Sequence, residues 1–89
     1  MSKKVIGILG GMGPLATADL FQKITLHTVA GKDQEHPRVC VDSNTNIPDR
    51  TEALLHGGED PVPEMIKSAK RLESIGADFL IMPCNTAHN

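Results

Sequence analysis

The chain has 89 residues, a formal net charge of −2 at pH 7 and a sequence pI near 6.0. This balance gives no basic patch for nucleic acid or an anionic membrane, and with no Trp, no Tyr and only two Phe the chain lacks an aromatic platform for stacking bases. No apolar stretch is long enough to span a bilayer, and glycines interrupt any signal-peptide core near the start, so we expect a cytoplasmic protein.

The first predicted element is a central strand at residues 5–9, a nearly continuous apolar run rich in β-branched side chains. It leads into the glycine loop, residues 10–13, where three glycines in four residues let the backbone turn sharply and approach a ligand. Pro14 suits the first position of a helix, which we expect to end near Ala30. The helical spacing predicts that the buried stripe of this helix consists of Leu15, Ala18, Phe21 or Leu20, and Ile24, with Thr17 mostly elsewhere.

A second strand is predicted at residues 39–42, with Cys40 inside it. A residue in the middle of a strand cannot reach a site beyond the strand's end, so Cys40 is interpreted as part of the core. A long polar connection follows and contains Asp49 and Arg50. Arg50 is either a solvated arginine paired with Asp49 or a guanidinium fork that binds a substrate carboxylate.

The second half of the chain predicts a short helical segment, a longer helix and a third strand. Residues 52–55 can form one or two helical turns before a pair of glycines ends them. Asp60 is suited to cap the longer helix. The apolar stripe of that helix is predicted to be Val62, Met65, Ile66, Ala69, Leu72 and Ile75 or Gly76, and its solvated face Lys67, Lys70, Arg71 and Glu73. The third strand is predicted at residues 79–82.

A thiol follows the third strand directly, at Cys84, and the polar side chains of Asn85, Thr86 and His88 come next. Open parallel sheets bind ligands beyond the carboxyl ends of their strands, where the following helix also offers unpaired N–H groups. Such N–H groups and the helix dipole stabilise a thiolate. A buried structural cysteine is the alternative, but the dense run of hydrogen-bonding side chains favours a reactive one.

Alternating strands and helices predict an α/β fold, a three-stranded parallel sheet with flanking helices. In the flavodoxin-like order 2-1-3, the glycine loop and Cys84 border one crevice and Arg50 lies on the same edge. A thiol, backbone amides and a guanidinium around one opening suit a small anionic substrate that undergoes proton transfer. A sheet of three strands leaves its edges uncovered, so we expect the chain to be the N-terminal part of a longer protein.

Two other functions fit parts of the same pattern. Residues 11–16 match the dinucleotide-binding pattern G-x-G-x-x-A, and Asp42 ends the second strand where a ribose-binding acid would lie. Against this Rossmann-like interpretation, Pro14 removes an N–H group where a pyrophosphate would bind, and Asp42 comes later in the sequence than the motif usually requires. A non-catalytic anion-binding domain explains the glycines but leaves the polar run after Cys84 unexplained.

Three blocks of the chain together resemble the aspartate/glutamate racemase family, most closely its aspartate racemase branch. They are residues 7–14, residues 47–51 (Ile-Pro-Asp-Arg-Thr) and residues 83–88 (Pro-Cys-Asn-Thr-Ala-His). The resemblance implies a two-domain racemase fold in which residues 1–89 form the N-terminal α/β domain. It further implies a small acidic amino acid as substrate, no cofactor, no metal, no nucleic-acid or membrane partner, and a homodimer when the protein is full length.

The resemblance also assigns roles to individual residues. Two cysteines would act as bases on opposite faces of the substrate α-carbon, and Cys84 matches the first of them. The second would belong to the second domain, and Cys40 does not match it. The implied substrate-binding residues are Arg50, Asp49, Asn85, Thr86, Met12 and Gly13. The chemistry agrees with two bases, because reversing a stereocentre requires a proton to leave one face and another to arrive on the opposite face.

Overall fold

The computed structural model describes residues 3–83, so Cys84 and the residues after it lie outside the described part of the chain. In chain order the elements are β1 (Val5–Gly10), α1 (Pro14–Leu26), a 3-10 turn (Asp33–Glu35), β2 (Arg38–Ser43), α2 (Arg50–His56), α3 (Val62–Ser74) and β3 (Phe79–Ile81). No helix within residues 3–83 combines the length and the apolar character that crossing a membrane requires.

The three strands form one parallel sheet in the order β2-β1-β3, which confirms the predicted topology. At the end of β1, Gly10 lies opposite Ser43 of β2, and Ile8 lies opposite Ile81 of β3. The carboxyl ends of all three strands therefore lie along one edge of the sheet, which we call the carboxyl edge. Because β1 is central, the loops that leave it and β2 are neighbours at this edge.

The core lies between the sheet and α3. Three buried side chains form its centre, and partly buried neighbours pack around them: Leu9, Ile47 and Leu72 at the centre, with Met12, Cys40, Met65, Ala69 and Ala77 against them. Burying an aliphatic side chain of this size stabilises the fold by about 1.5–3 kcal/mol. The predicted core position of Cys40 is confirmed, and its thiol is free.

Helix α1 lies on the opposite face of the sheet, because neighbouring residues of β1 point to opposite sides and Gly10 contacts α1 while Leu9 faces α3. Its buried residue is Thr17, which the apolar spacing did not place in the stripe. Of the predicted stripe, Leu20 and Ile24 are half-buried, whereas Leu15, Ala18 and Phe21 are exposed. The predicted orientation was wrong because Thr17 packs directly on Gly10, where a Cβ would overlap it.

Helix α1 ends at Leu26, earlier than the predicted end near Ala30. The Thr28 hydroxyl donates a hydrogen bond of 2.6 Å to the carbonyl oxygen of Ile24, so a side chain takes over a carbonyl that the next turn would have used. Val29 is fully exposed and Leu26 largely so. With no sheet surface to cover these side chains, another helical turn would gain no burial energy.

The two later helices begin and end close to the predicted positions. Gly57 ends α2 in the left-handed conformation, with φ 65°, as a glycine after a helix commonly does. The N-cap position of α3 is Pro61, not the predicted Asp60. Asp60 nevertheless performs the capping, since its carboxylate accepts a hydrogen bond of 3.0 Å from the backbone N–H of Val62.

The buried face of α3 is only partly the predicted one. Met65, Ala69 and Leu72 face the core as expected, and Val62, Ile66 and Ile75 are about half exposed or more. Ser68, which the apolar pattern passed over, is completely buried. The serine is inward because a carboxylate of β2 lies opposite it, as the next subsection describes.

Candidate functional site

Two loops meet at the carboxyl edge, the glycine loop and the β2 loop (residues 44–49). The backbone N–H of Asn44 donates a hydrogen bond of 3.0 Å to the carbonyl oxygen of Gly10. Gly11 has φ 106° and lies so close to the Asn44 backbone that a Cβ could not be accommodated. The prediction that these two loops open on the same edge is therefore confirmed.

Thr17 fixes the shape of the glycine loop. Its hydroxyl accepts a hydrogen bond of 3.0 Å from the backbone N–H of Gly11 and donates one of 3.0 Å to the carbonyl oxygen of Gly13. The Gly11 N–H is thus used within the protein and is not directed at a ligand. Sequence reasoning missed Thr17, although a threonine four residues after Gly13 is a signal for this kind of back-bonding.

Met12 and Gly13 are the predicted wall residues of the glycine loop, and they face different surroundings. Met12 is half-buried and packs against the core cluster centred on Leu9. Gly13 is the N-cap of α1, and a Cβ there would meet none of the described atoms within 4 Å. Gly13 therefore borders open space at the carboxyl edge. Contact of either residue with a substrate stays a prediction.

Asp49 is the N-cap of α2. Its Oδ1 atom accepts hydrogen bonds from the backbone N–H groups of Thr51, at 2.7 Å, and Glu52, at 3.2 Å. These bonds satisfy two of the unpaired donors of the first turn and place a negative charge at the positive end of the helix. The carboxylate therefore supports the turn in which Arg50 lies.

Arg50 is exposed at the first position of α2, and within residues 3–83 it makes no ion pair. The alternative in which Arg50 pairs with Asp49 is thus not what the structure has. Arg50 lines a cavity of about 400 Å³ between α2 and the start of α3, together with Ala53, Leu54, Gly58, Asp60, Pro61 and Val62. A guanidinium that makes no ion pair with any of residues 3–83 suits bidentate binding of a carboxylate.

Asp42 is held by α3 and is not open to a ribose. Its Oδ2 atom accepts hydrogen bonds of 2.5 Å from the Ser68 hydroxyl and 2.6 Å from the Arg71 guanidinium. Arg71 is exposed, as predicted, and its guanidinium also pairs with Asp42, which the apolar pattern did not predict. Residues three apart share one helix face, so Arg71 reaches the carboxylate from the same side as Ser68. With Gly11 and Asp42 both engaged internally, the structure argues against the dinucleotide-binding interpretation.

Comparison with known proteins agrees with the resemblance carried by the three sequence blocks. Residues 9–89 match the family model of Asp/Glu/hydantoin racemases. The chain belongs to this family. It is 32% identical over 88 residues to the broad specificity amino-acid racemase RacX of Bacillus subtilis (strain 168), in an alignment covering 94% of this chain and 38% of RacX.

The fold is also similar to that of a solved structure. The Picrophilus torridus aspartate racemase superposes on this chain with a TM-score of 0.86 and 47% sequence identity, covering 96% of this chain and 37% of that one. This likeness confirms the α/β fold with strand order 2-1-3. The chain spans well under half the length of both racemases.

The remaining predicted site residues, Cys84, Asn85 and Thr86, lie outside the described residues, as does His88. Their roles in the family's reaction stay predictions. Within residues 3–83, no three His, Cys, Asp or Glu side chains are grouped so that they could hold a metal ion.

Proposed function

We propose that this chain is the N-terminal domain of a two-domain amino-acid racemase, with aspartate as its first candidate substrate and glutamate as its second. The observation that carries the proposal is the 47% identity, over 96% of this chain, to the Picrophilus torridus aspartate racemase. In this proposal the full-length enzyme is a cytoplasmic homodimer that needs no cofactor.

In the proposed reaction, the Cys84 thiolate removes the α-proton of the substrate from one face. The electron pair of the broken C–H bond stays on the substrate, and a thiol of the second domain delivers a proton to the opposite face. The reverse reaction exchanges the roles of the two thiols. One thiol alone serves one face only, so this chain would supply half of the catalytic pair.

The described residues support the binding part of this proposal. Arg50 is exposed at the start of α2 and makes no ion pair with any of residues 3–83, and in this proposal it binds a carboxylate of the acidic substrate. Asp49 would contribute by holding the first turn of α2 in place, while Asn85 and Thr86 would hold a carboxylate beside the thiol. Neutralising a substrate carboxylate lowers the barrier to forming a second negative charge at the α-carbon.

The test is exchange of the aspartate α-proton in deuterated water, followed by NMR, with the whole protein that carries this chain. We expect exchange and inversion of both enantiomers. Cys84→Ser should still bind aspartate but lose inversion, because serine is far too weak an acid to hold an anion near neutral pH. Cys40→Ala, which changes the core thiol instead, should retain both exchange and inversion once its folding is verified.

Two results would contradict this proposal, and they differ in meaning. A wild-type protein that exchanges neither aspartate nor glutamate is not an acidic amino-acid racemase. A Cys84→Ser protein that exchanges both enantiomers at the wild-type rate would show that Cys84 is structural.

A further inference from the structure

Asn44 is a buried polar residue at the carboxyl edge to which neither the sequence blocks nor the proposed reaction assigns a role. Only 7% of it is exposed. Its Oδ1 atom accepts a hydrogen bond of 3.0 Å from the backbone N–H of Asn46, and its Nδ2 atom lies 3.4 Å from Oε2 of Glu64. The Asn46 donor requires an oxygen opposite it, so the orientation of the amide follows, with its N–H groups toward Glu64.

Both backbone polar groups of Asn44 make hydrogen bonds, as its side chain does. Its N–H donates to the carbonyl oxygen of Gly10, and its own carbonyl oxygen accepts from the N–H of Ile47 at 3.4 Å. The close approach of Gly11 to the same backbone leaves no space for a side chain at that position. Asn44 therefore connects three segments: the glycine loop, the β2 loop and the first turn of α3.

Glu64 is the anchor on the α3 side. It lies in the first turn of that helix, where the helix dipole stabilises a negative charge, and its side chain is 24% exposed. The Nζ atom of Lys67 lies 4.0 Å from the other carboxylate oxygen of Glu64, Oε1. Oε2 is thus directed at the Asn44 amide. The distance of 3.4 Å is long for a hydrogen bond, but the negative charge of the carboxylate strengthens its attraction to the amide N–H group.

We propose that Asn44, oriented by Glu64, is a positioning residue of the racemase site. It sets the placement of the glycine loop relative to the β2 loop, which leads through Asp49 to Arg50. The inference rests on the proposed function, in which Arg50 and the glycine loop hold the substrate. Asn44 itself does not touch the substrate in this proposal, because its amide is engaged on both sides; it acts through the two loops, whose misplacement weakens binding.

The test swaps the hydrogen-bond donor and acceptor between the side chains of Asn44 and Glu64, in the whole protein that carries this chain. Asn44→Asp keeps the Oδ1 acceptor and the shape but places a carboxylate beside Glu64, and like charges at this spacing repel. We expect the Kd for aspartate, measured by calorimetry, to rise about tenfold. KM in the exchange assay should rise in parallel while kcat falls by a smaller factor, since the loops bind the substrate and the thiols perform the chemistry.

The double variant Asn44→Asp/Glu64→Gln restores a donor opposite the new carboxylate. We expect its Kd and KM to return to within about threefold of the wild-type values, which a general loss of packing would not allow. Glu64→Gln alone keeps an oxygen that can accept from Asn44 but removes the charge, so we expect its Kd for aspartate to rise by less than the Kd of Asn44→Asp does. Thermal unfolding of each variant verifies that it is folded.

Amide hydrogen exchange gives a second readout that needs neither binding nor turnover. In Asn44→Asp, exchange at residues 11–13 and 45–50 should accelerate while residues 5–9 of β1 stay protected, and the double variant should reverse the change. A folded Asn44→Asp protein with the wild-type Kd and wild-type rates of amide hydrogen exchange overturns the inference. A double variant whose Kd stays as high as that of Asn44→Asp overturns it as well. If the wild type neither binds nor racemises acidic amino acids, the proposed function fails. The coupling of the two loops is tested separately, and unchanged amide hydrogen exchange in Asn44→Asp would overturn it.

Discussion

The Thr17 hydroxyl accepts a hydrogen bond of 3.0 Å from the backbone N–H of Gly11 and thereby joins α1 to the glycine loop. Thr17→Val keeps the shape of the side chain but removes this acceptor and leaves a partly buried N–H group unsatisfied. We expect the free energy of unfolding to fall by about 1–3 kcal/mol, measured by urea denaturation.

Thr25→Val is the matched control for this change. The Thr25 hydroxyl also bonds to a carbonyl oxygen four residues earlier in the same helix, that of Phe21 at 3.3 Å, but it does so in an exposed position. We expect its free energy of unfolding to change by less than about 0.5 kcal/mol. Equal losses in the two variants would show that Thr17 contributes through helix propensity alone.

Ser68 is completely buried, and its hydroxyl donates a hydrogen bond of 2.5 Å to the Asp42 carboxylate. Ser68→Ala should lower the free energy of unfolding by about 1–2 kcal/mol, because a hydrogen bond to a charged group in a partly buried setting is lost. Ser74→Ala removes a hydroxyl that bonds to a backbone carbonyl in the exposed last turn of the same helix, and it should be nearly neutral. Urea denaturation compares the two, and a neutral Ser68→Ala would mean that Arg71 alone satisfies Asp42.

The strand order and the shared edge of the loops could be predicted from the sequence, because they follow from alternating elements, short connections and the handedness of crossovers. The orientation of α1 could not. It depends on the absence of a Cβ at Gly10, which lets the polar Thr17 pack inward, and apolar periodicity carries no information about such a contact. The same holds for Ser68, Arg71 and Asn44, whose partners are polar groups far away in the sequence.

The candidate site also has features that could be predicted from the sequence and features that could not. The sequence blocks predict Asp49 and Arg50 as site residues, and helix-capping preferences account for the observed contacts of Asp49. That Arg50 has no partner among the described residues, and that Asp42 does, depends on where α3 packs, which no local pattern encodes. Assigning Cys84 a role requires the family, since a thiol after a strand suits both a catalytic and a structural interpretation.

Asp49 offers a test of whether it acts as a cap or as a direct ligand of the substrate. Asp49→Ala should destabilise α2 by about 1 kcal/mol and weaken aspartate binding, because the turn that carries Arg50 loosens. Asp49→Ser keeps a capping oxygen but removes the charge, so it should restore binding if the carboxylate serves only the helix. Calorimetric titration with aspartate distinguishes the two roles: equal weakening in both variants would indicate a direct role for the charge.

Arg50 is expected to carry the affinity for the substrate carboxylate. Arg50→Gln should raise the Kd for aspartate by at least about tenfold. The Kd of Arg50→Lys should lie between the wild-type value and that of Arg50→Gln, because an ammonium group keeps the charge but cannot bind bidentately. Arg38→Gln is the control, since Arg38 is exposed at the opposite end of β2 and opposite Val5. A Kd that is unchanged in Arg50→Gln would place the carboxylate site elsewhere.

The two cysteines can be compared within one molecule. If Cys84 is a catalytic base, its thiolate forms readily, and iodoacetamide should modify it faster than it modifies Cys40, which packs against the core in β2. Aspartate should slow the reaction at Cys84 and leave the reaction at Cys40 unchanged, because only the former would lie under a bound substrate. Mass spectrometry of the two peptides measures both rates.

Unfolding the protein in urea provides the reference for this comparison, since both thiols are then exposed and should react at similar rates. A faster reaction at Cys84 without protection by aspartate would reflect exposure alone and would leave the thiol unconnected to the substrate. Protection that disappears in Arg50→Gln, while the reaction without aspartate stays as fast, would connect the thiol and the guanidinium through one bound substrate. Modification at equal rates in the folded protein, unaffected by aspartate, contradicts a catalytic role for Cys84.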